Sequence, residues 1–360
     1  MNDGSSSPIS TAATPDFVDL RSDTVTRPTA AMLAAMMTAT VGDDVYGEDQ
    51  AVTALEARVA QLLGLECALF VPSGTMANQL AIAVHTRPGD SAITEAESHC
   101  VRFEAGGAAA LSGVQFEQVA RSERLSDGAL RRLFKSDGLH ESPTTLLVVE
   151  NTHNMGGGRV LAPAELARIL RQAKTLGLAA HCDGARLWNA AAALGVSERE
   201  LAAGFDTVSV CFSKGLGAPV GSALAGSAAH IARARKLRKR WGGGMRQAGF
   251  LAAAALYAID HHRERLTQDH RRAAAFAGAL AELARAGRPV ETAYPEPGTN
   301  LVYFRIGDGG DGAYASRLAE QGVRISQIGD GWLRAVLHLD VDDDGLARAL
   351  DRVTRLIREI

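Results

Sequence analysis

The stretch "DTVSVCFSKGLGAPVGSALAG" (206–226) carries a single charge after its opening aspartate, Lys214. Val208, Val210, Cys211 and Phe212 ahead of it suit a strand buried on both faces. Gly215, Gly217, Pro219 and Gly221 behind it exclude a regular helix. An ammonium is costly to bury unless it is paired or neutralised. Lys214 therefore either snorkels to water or is not an ordinary free amine.

Working outward from that strand, the pattern repeats. "CALFVPSG" (67–74) reads as a strand ending in a turn, feeding the helix "TMANQLAIAVHT" (75–86). "SAIT" (91–94), "VQFEQVA" (114–120) and "TTLLVVEN" (144–151) read as further strands, "LAAHCDGAR" (178–186) as a strand and loop, and "SALAG" (222–226) as a short return. Between them, "TALEARVAQLLGL" (53–65) sets Leu55, Val59, Leu62 and Leu63 on one helical face, and "PAELARILRQAKTLG" (163–177) opens on proline and closes on glycine. Strands alternating with helices, the strands continuously apolar, predict an α/β fold with a mainly parallel sheet covered on both faces. Residues 245–287 read as long helix, followed by a strand at 300–306, a helix at 313–322 and two more strands. The expected domains are a leader over 1–15, a large domain over 16–265 and a small α+β C-terminal domain over 266–360.

Composition narrows the function. The 360 residues are 46% hydrophobic and 22% charged, with a formal net charge of -3, which excludes a dedicated nucleic-acid binder. The basic run "RARKLRKRW" (233–241) reads as a solvated helix face. Cys67, Cys100, Cys182 and Cys211 lie far apart with no zinc spacing, so no metal is expected and they read as reduced thiols in a cytoplasmic protein. The N-terminus lacks a secretory signal, and "FLAAAALYAI" (250–259) is too short to span a membrane.

In open α/β sheets ligands sit beyond the carboxyl ends of the strands, and the polar residues collected there form a set. "VPSGT" offers Ser73, Gly74 and Thr75 at a strand-to-helix turn, where backbone N–H groups can hold a phosphate. "HCDGAR" places Asp183 after a strand, with Arg186 three residues on; "VCFSKG" places Lys214 at another strand end; "ESHCVRFEAGG" and "ENTHNMGGG" add His99 and His153. Alone, each has a structural explanation: a cap, an ion pair, a core histidine. Together, a phosphate turn, an acid, a lysine and a flat imidazole match pyridoxal phosphate. That cofactor needs a lysine to form an imine, a phosphate anchor and a carboxylate against its ring nitrogen. A lysine held as an imine is no longer an ammonium, which explains its place in an apolar strand.

The ordered blocks "DLRSDTVTRPT", "GDDVYGED", "LFVPSGTMANQLAI", "ENTHN", "DGARLWNA", "FSKGLGAPVGS" and "GGGMRQAG" resemble the low-specificity L-threonine aldolases, in the β-eliminating lyase group of fold-type I pyridoxal-phosphate enzymes. "EDQAV" departs from that pattern, as does Cys211 beside the lysine block, and neither touches a position assigned to chemistry. The resemblance implies that Lys214 binds the cofactor, Asp183 pairs with the pyridine nitrogen and His99 stacks on the ring. It places Ser73, Gly74 and Thr75 at the phosphate, with Ser213 as a helper and Arg246 acting from the same or a neighbouring subunit. Ser22, Arg186 and Arg334 would hold the substrate carboxylate, and His153 would approach the β-hydroxyl. The implied reaction is reversible retro-aldol cleavage of L-threonine, L-allo-threonine and relatives such as phenylserine to glycine and an aldehyde, in a homotetramer with sites at dimer interfaces. His153, His99 or a water between them could be the base. The competing expectation is a pyridoxal-phosphate β-elimination on another amino acid. "GLGAPVG" has the wrong spacing for a dinucleotide fingerprint.

Overall fold

The computed structural model describes residues 17–308 and 313–360, so the expected leader lies outside the described residues. Near the N-terminus a short strand, β1 (Val18–Asp19), leads through a helical turn into the helix Ala30–Met37. The main sheet is built from β2 (Cys67–Val71), β3 (Ser91–Glu95), β4 (Gln115–Val119), β5 (Thr144–Glu150), β6 (Ala179–Gly184), β7 (Thr207–Cys211) and β8 (Ser222–Gly226). Its order is β2-β8-β7-β6-β5-β3-β4. The pairs from β7 through β6, β5 and β3 to β4 are parallel, as the alternation predicts, whereas β8 runs antiparallel to both β7 and β2. The glycine-rich segment between Cys211 and Ser222 has no crossover helix, and a parallel return needs one. Gly221 closes that return at φ 112°, where a Cβ would lie 2.6 Å from the Phe70 ring.

Local chemistry fixes the covering helices. Gln50–Leu63 is capped by Asp49, whose Oδ1 accepts the Val52 N–H at 3.1 Å, and stops at Gly64 in a left-handed conformation. Its buried face is Val52, Leu55, Val59 and Leu63. Pro163 opens the helix Pro163–Thr175, which buries Leu166, Ile169, Leu170 and Ala173 against the same core. All five residues of β7 are buried, because helices cover both faces.

The predicted long helical stretch divides at Arg263–Arg265 into Gly249–His262 and Leu266–Arg285. The chain changes cores there. Leu266 packs with the large core, while Ala273, Phe276 and Leu280 pack with a second one. That second core lies under a four-stranded antiparallel sheet. Its strands are β9 (Val290–Ala293), β10 (Leu301–Ile306), β12 (Ser326–Gly329) and β13 (Trp332–Val336), with a short β11 (Val323–Arg324) beside them. The helix Asp343–Arg358 closes it. β1 pairs in parallel with β11, and Val18 and Leu20 belong to this second core. β1 and β11 form a two-stranded sheet of their own, and the Val336 N–H donating to the Leu20 carbonyl at 2.9 Å ties the N-terminal segment to the C-terminal sheet.

Candidate active site

Parallel register brings four strand ends to one edge of the main sheet. Glu150 stands opposite Asp183 and Asp183 opposite Ser209, so the segments leaving β3, β5, β6 and β7 converge there. His99 opens the short helix after β3, and Lys214 comes after β7. A cavity of about 580 Å³ forms where this edge meets the C-terminal sheet, and Ser22, His99, Arg186, Lys214 and Arg334 all line it. Phe103, Met155 and Ile328 supply apolar wall, and Asn154 completes the polar side.

Asp183 lies buried at this edge. One of its carboxylate oxygens lies within 4.8 Å of a ring nitrogen of His99 and a carboxylate oxygen of Glu104. Burial works to raise the Asp183 carboxyl, but the nearby His99, Lys214 and His181 together hold it below its ordinary value. His99 Nδ1 lies 2.7 Å from the fully buried Glu104 carboxylate. Burial alone would lower the imidazole; the hydrogen bond to Glu104, aided by Asp183, raises it instead.

The turn after β2 suits an anion. Ser73 caps the helix Gly74–His85, its Oγ accepting the Met76 N–H at 3.2 Å. The first N–H groups of a helix have no partner within it, and here they belong to Gly74 and Thr75. Gly74 also lets β7 approach: a Cβ there would lie 2.8 Å from Cys211 Sγ. Ser213, half-buried, sits beside Lys214.

The two arginines expected at the substrate carboxylate differ in their settings. Arg186 forms a buried bidentate pair with Asp23, Nε to Oδ2 at 2.8 Å and Nη2 to Oδ1 at 2.7 Å. Burial works to raise the Asp23 carboxyl, but Arg186 above all, with Lys214 and Asn300, holds it well below the carboxylate range. Only Nη1 of Arg186 is left outside the pair. Arg334, on β13, donates from Nη1 to Asn154 Oδ1 at 2.8 Å and from Nη2 to the Arg21 carbonyl at 3.1 Å; its Nε is buried and finds no partner among the described residues. Ser22 Oγ accepts the Thr24 N–H at the head of a helical turn.

Of the expected residues that do not line this cavity, Asp183, Ser73, Gly74, Thr75 and Ser213 lie at the strand ends and turn just described, and His153 and Arg246 lie elsewhere. His153 lines a neighbouring space of about 360 Å³, with Met155 in the wall of both. Its Nδ1 accepts the Gly156 N–H at 2.8 Å, and its buried Nε2 has no partner among the described residues. Arg246 is exposed and pairs with Asp43 at 3.0 Å. The sequence reading missed Asp23, Glu104, Asn154 and Asn300. Asp23 stands next to Ser22, and Glu104 lies in the same "HCVRFEAGG" stretch as His99, but nothing in the sequence says that these carboxylates turn inward.

The donor set fits pyridoxal phosphate: a lysine at a cavity, a buried carboxylate kept ionised, an imidazole held by its far nitrogen and a helix N-terminus. Comparison with known proteins agrees. Residues 19–300 match the family described as Beta-eliminating lyase. The low specificity L-threonine aldolase of Escherichia coli (strain K12) is 42% identical over 92% of this chain and 96% of its own length. The low-specificity L-threonine aldolase 1 of Arabidopsis thaliana is 40% identical over 89% and 91%. The fold superposes on a threonine aldolase from Leishmania major with a TM-score of 0.80, at 20% identity, covering 94% of this chain and 99% of that one. A serine palmitoyltransferase from Sphingomonas wittichii shares the fold at a TM-score of 0.74 and 19% identity, covering 95% and 88%. With this fold, this donor set and relatives aligned along almost its whole described length, the chain belongs to the beta-eliminating lyase family, among the low-specificity L-threonine aldolases, and is a pyridoxal-phosphate-dependent lyase.

Proposed function

We propose that this chain cleaves L-threonine, L-allo-threonine and related β-hydroxy-α-amino acids such as phenylserine to glycine and an aldehyde, reversibly. The observation that carries this reading is the convergence of Ser22, His99, Arg186, Lys214 and Arg334 on one cavity, with Asp183 buried at the same edge. In this reading Lys214 holds the cofactor aldehyde, Asp183 faces the ring nitrogen and His99 covers the ring. Ser73, Gly74, Thr75 and Ser213 hold the phosphate. The bound cofactor supplies an electron sink for the pair released when Cα–Cβ breaks.

The chain's own residues do the rest. Arg334, Ser22 and the free edge of Arg186 grip the substrate carboxylate and fix its rotation, so that a substrate spans both sheets. The two imidazoles are poised differently. Glu104 takes Nδ1–H of His99 and leaves Nε2 able to accept the hydroxyl proton. Gly156 donates to Nδ1 of His153, so a neutral His153 carries its hydrogen on Nε2, buried beside the neighbouring space and away from the substrate cavity, which leaves His99 as the better placed of the two.

The assembly in this reading is a cytoplasmic homotetramer with sites at dimer interfaces. Exposed Met37, Tyr46 and Phe250 support it. So does Arg246, whose side chain pairs only with Asp43 in its own chain among the described contacts. Among the described residues no helix is long and apolar enough to cross a membrane.

The test monitors acetaldehyde, glycine and ammonia together from L-threonine and L-allo-threonine, with pyridoxal phosphate supplied. Acetaldehyde and glycine without ammonia are expected; ammonia with a keto acid and no glycine would move the enzyme to β-elimination. Lys214→Ala is expected to abolish the visible band of the lysine-bound cofactor, and its persistence would mean that another lysine carries it.

A further inference from the structure

Behind Asp183 and Glu104 lies a hydrogen-bonded chain that the reaction as described does not use. Asn78, on the helix Gly74–His85, is 2% exposed. Its Nδ2 donates to Asp183 Oδ2 at 2.7 Å and to Glu104 Oε1 at 2.8 Å. Its Oδ1 accepts from Ser209 Oγ at 2.8 Å and faces His181 Nε2 at 3.2 Å. All four hydrogen-bonding sites of the amide are therefore filled. Its neighbour Gln79 donates to Glu104 Oε2 at 2.6 Å, so every partner of that carboxylate is a donor. His181 is fully buried on β6, two residues before Asp183, and its Nδ1 lies 3.0 Å from Thr207 Oγ1. The same hydroxyl lies 3.0 Å from His85 Nε2.

Polarity along this chain is set from its end. An Asn78 flipped about its amide would point Oδ1 at two carboxylates, so its NH₂ must face Asp183 and Glu104. Its Oδ1 can then only accept, and His181 must carry its hydrogen on Nε2. Nδ1 of His181 accepts from Thr207 Oγ1–H, which in turn accepts from His85 Nε2–H. The competing tautomer would donate from Nδ1 to the Thr207 carbonyl, 3.2 Å away, and would leave Nε2 with nothing to give Asn78.

We propose that Asn78 and His181 are positioning residues: one amide clamps the ring-nitrogen carboxylate Asp183 and the imidazole-orienting carboxylate Glu104 in fixed relation, and His181 with Ser209 locks that amide's rotamer. This rests on the assignment of Asp183 to the ring nitrogen. The groups facing His181 are Asp183 from its own strand, Thr207 from β7, and Asn78 and His85 from the helix. Removing the His181 donor leaves Ser209 alone to hold the amide oxygen, so the amide shifts within its pocket and its hydrogen bond to the charged form of Asp183 weakens. Asp183 becomes the stronger base and draws the shared proton toward itself, which leaves the ring nitrogen less fully charged.

The experiment compares His181→Phe and His181→Gln holoenzymes. Phenylalanine keeps the ring volume without a donor; glutamine can reach Asn78 with an N–H. The readouts are the pH midpoint of the visible cofactor band and the cofactor dissociation constant. His181→Phe is expected to shift the midpoint upward and weaken cofactor binding by about tenfold, the scale of one hydrogen bond to a charged group. His181→Gln is expected to stay near wild type. A role in packing alone predicts the reverse order, and that order would overturn the proposal. Asp183→Asn is the control. If it leaves the band's titration unmoved, the ring-nitrogen assignment fails and the proposal with it. If it moves the band and His181→Phe does not, the positioning role alone fails. Nitrogen chemical shifts of the His181 ring in the wild-type holoenzyme need no substitution: hydrogen on Nε2 supports the chain, and hydrogen on Nδ1 refutes it.

Discussion

The Asp23–Arg186 pair sets the first expectation for a single side chain. Both groups are buried and each neutralises the other's charge, with only the free edge of Arg186 facing the cavity. Replacing both by apolar residues could be nearly neutral, but removing one leaves an uncompensated charge. Asp23→Ala is expected to cost about 3–5 kcal/mol in urea unfolding, against the ~1 kcal/mol of an ordinary exposed ion pair. A loss at the lower figure would mean that the guanidinium finds water or another carboxylate. The same pair shows how far residue types could be read from the chain. Arg186 was expected at a carboxylate only because its block "DGARLWNA" resembles that of the family; its position after a strand end suggested no more than an ion pair. Its partner lies 163 positions away, and no local pattern joins them.

At the level of elements, the return from β7 to β8 and the histidines between the helix Gly74–His85 and the sheet make opposite demands on the chain. Gly221 must adopt φ 112° with Phe70 against it. Gly221→Ala is expected to lower stability by about 1–3 kcal/mol through strain and overpacking; an unchanged unfolding midpoint would show that the turn has another conformation available. Burial pushes His85 down to about 3, helped by the charges of His230, His181 and Arg233. Burial likewise pushes His181 down to about 4, against the pull of Asp183. A histidine whose folded pKa is depressed stabilises the fold above its unfolded pKa and loses that contribution as pH falls toward the folded value. Stability should therefore be full above about pH 6.5 and fall by about 1 kcal/mol per unit per histidine below it. Urea midpoints at pH 7.5, 6.5 and 5.5 check this, and a flat profile would mean that these rings take up protons within the fold. Sequence periodicity found these helices and strands because a buried face must repeat with the element's own period. It did not find the break in the helix at Arg263–Arg265, because residues 245–287 read as one long helix and only a domain boundary, after residue 265, was expected within it.

For the whole molecule the question is what completes the phosphate end of the site. Arg246 is 55% exposed in its own chain and meets Asp43. If a neighbouring subunit's Arg246 supplies the phosphate contact, Arg246→Ala should weaken cofactor binding by about tenfold while leaving the monomer's unfolding unchanged. Light scattering should give the mass of a tetramer; a monomer retaining full cofactor affinity would remove the shared site. The set of parts is written in the primary structure alone. Apolar strands alternating with amphipathic helices dictate a covered, mainly parallel sheet, and Lys214, Asp183, His99 and the Ser73–Thr75 turn, each explicable alone as structure, stand out as a set at the strand ends. The antiparallel seat of β8, the tie between the N-terminal segment and the C-terminal sheet, and the meeting of Arg334 with Arg186 arise only in three dimensions. So does the inward turn of Asp23, Glu104, Asn78 and His181. These are contacts between residues far apart in the chain, set by register and by the need of each buried polar group for a partner, and such needs leave no periodic trace in a sequence.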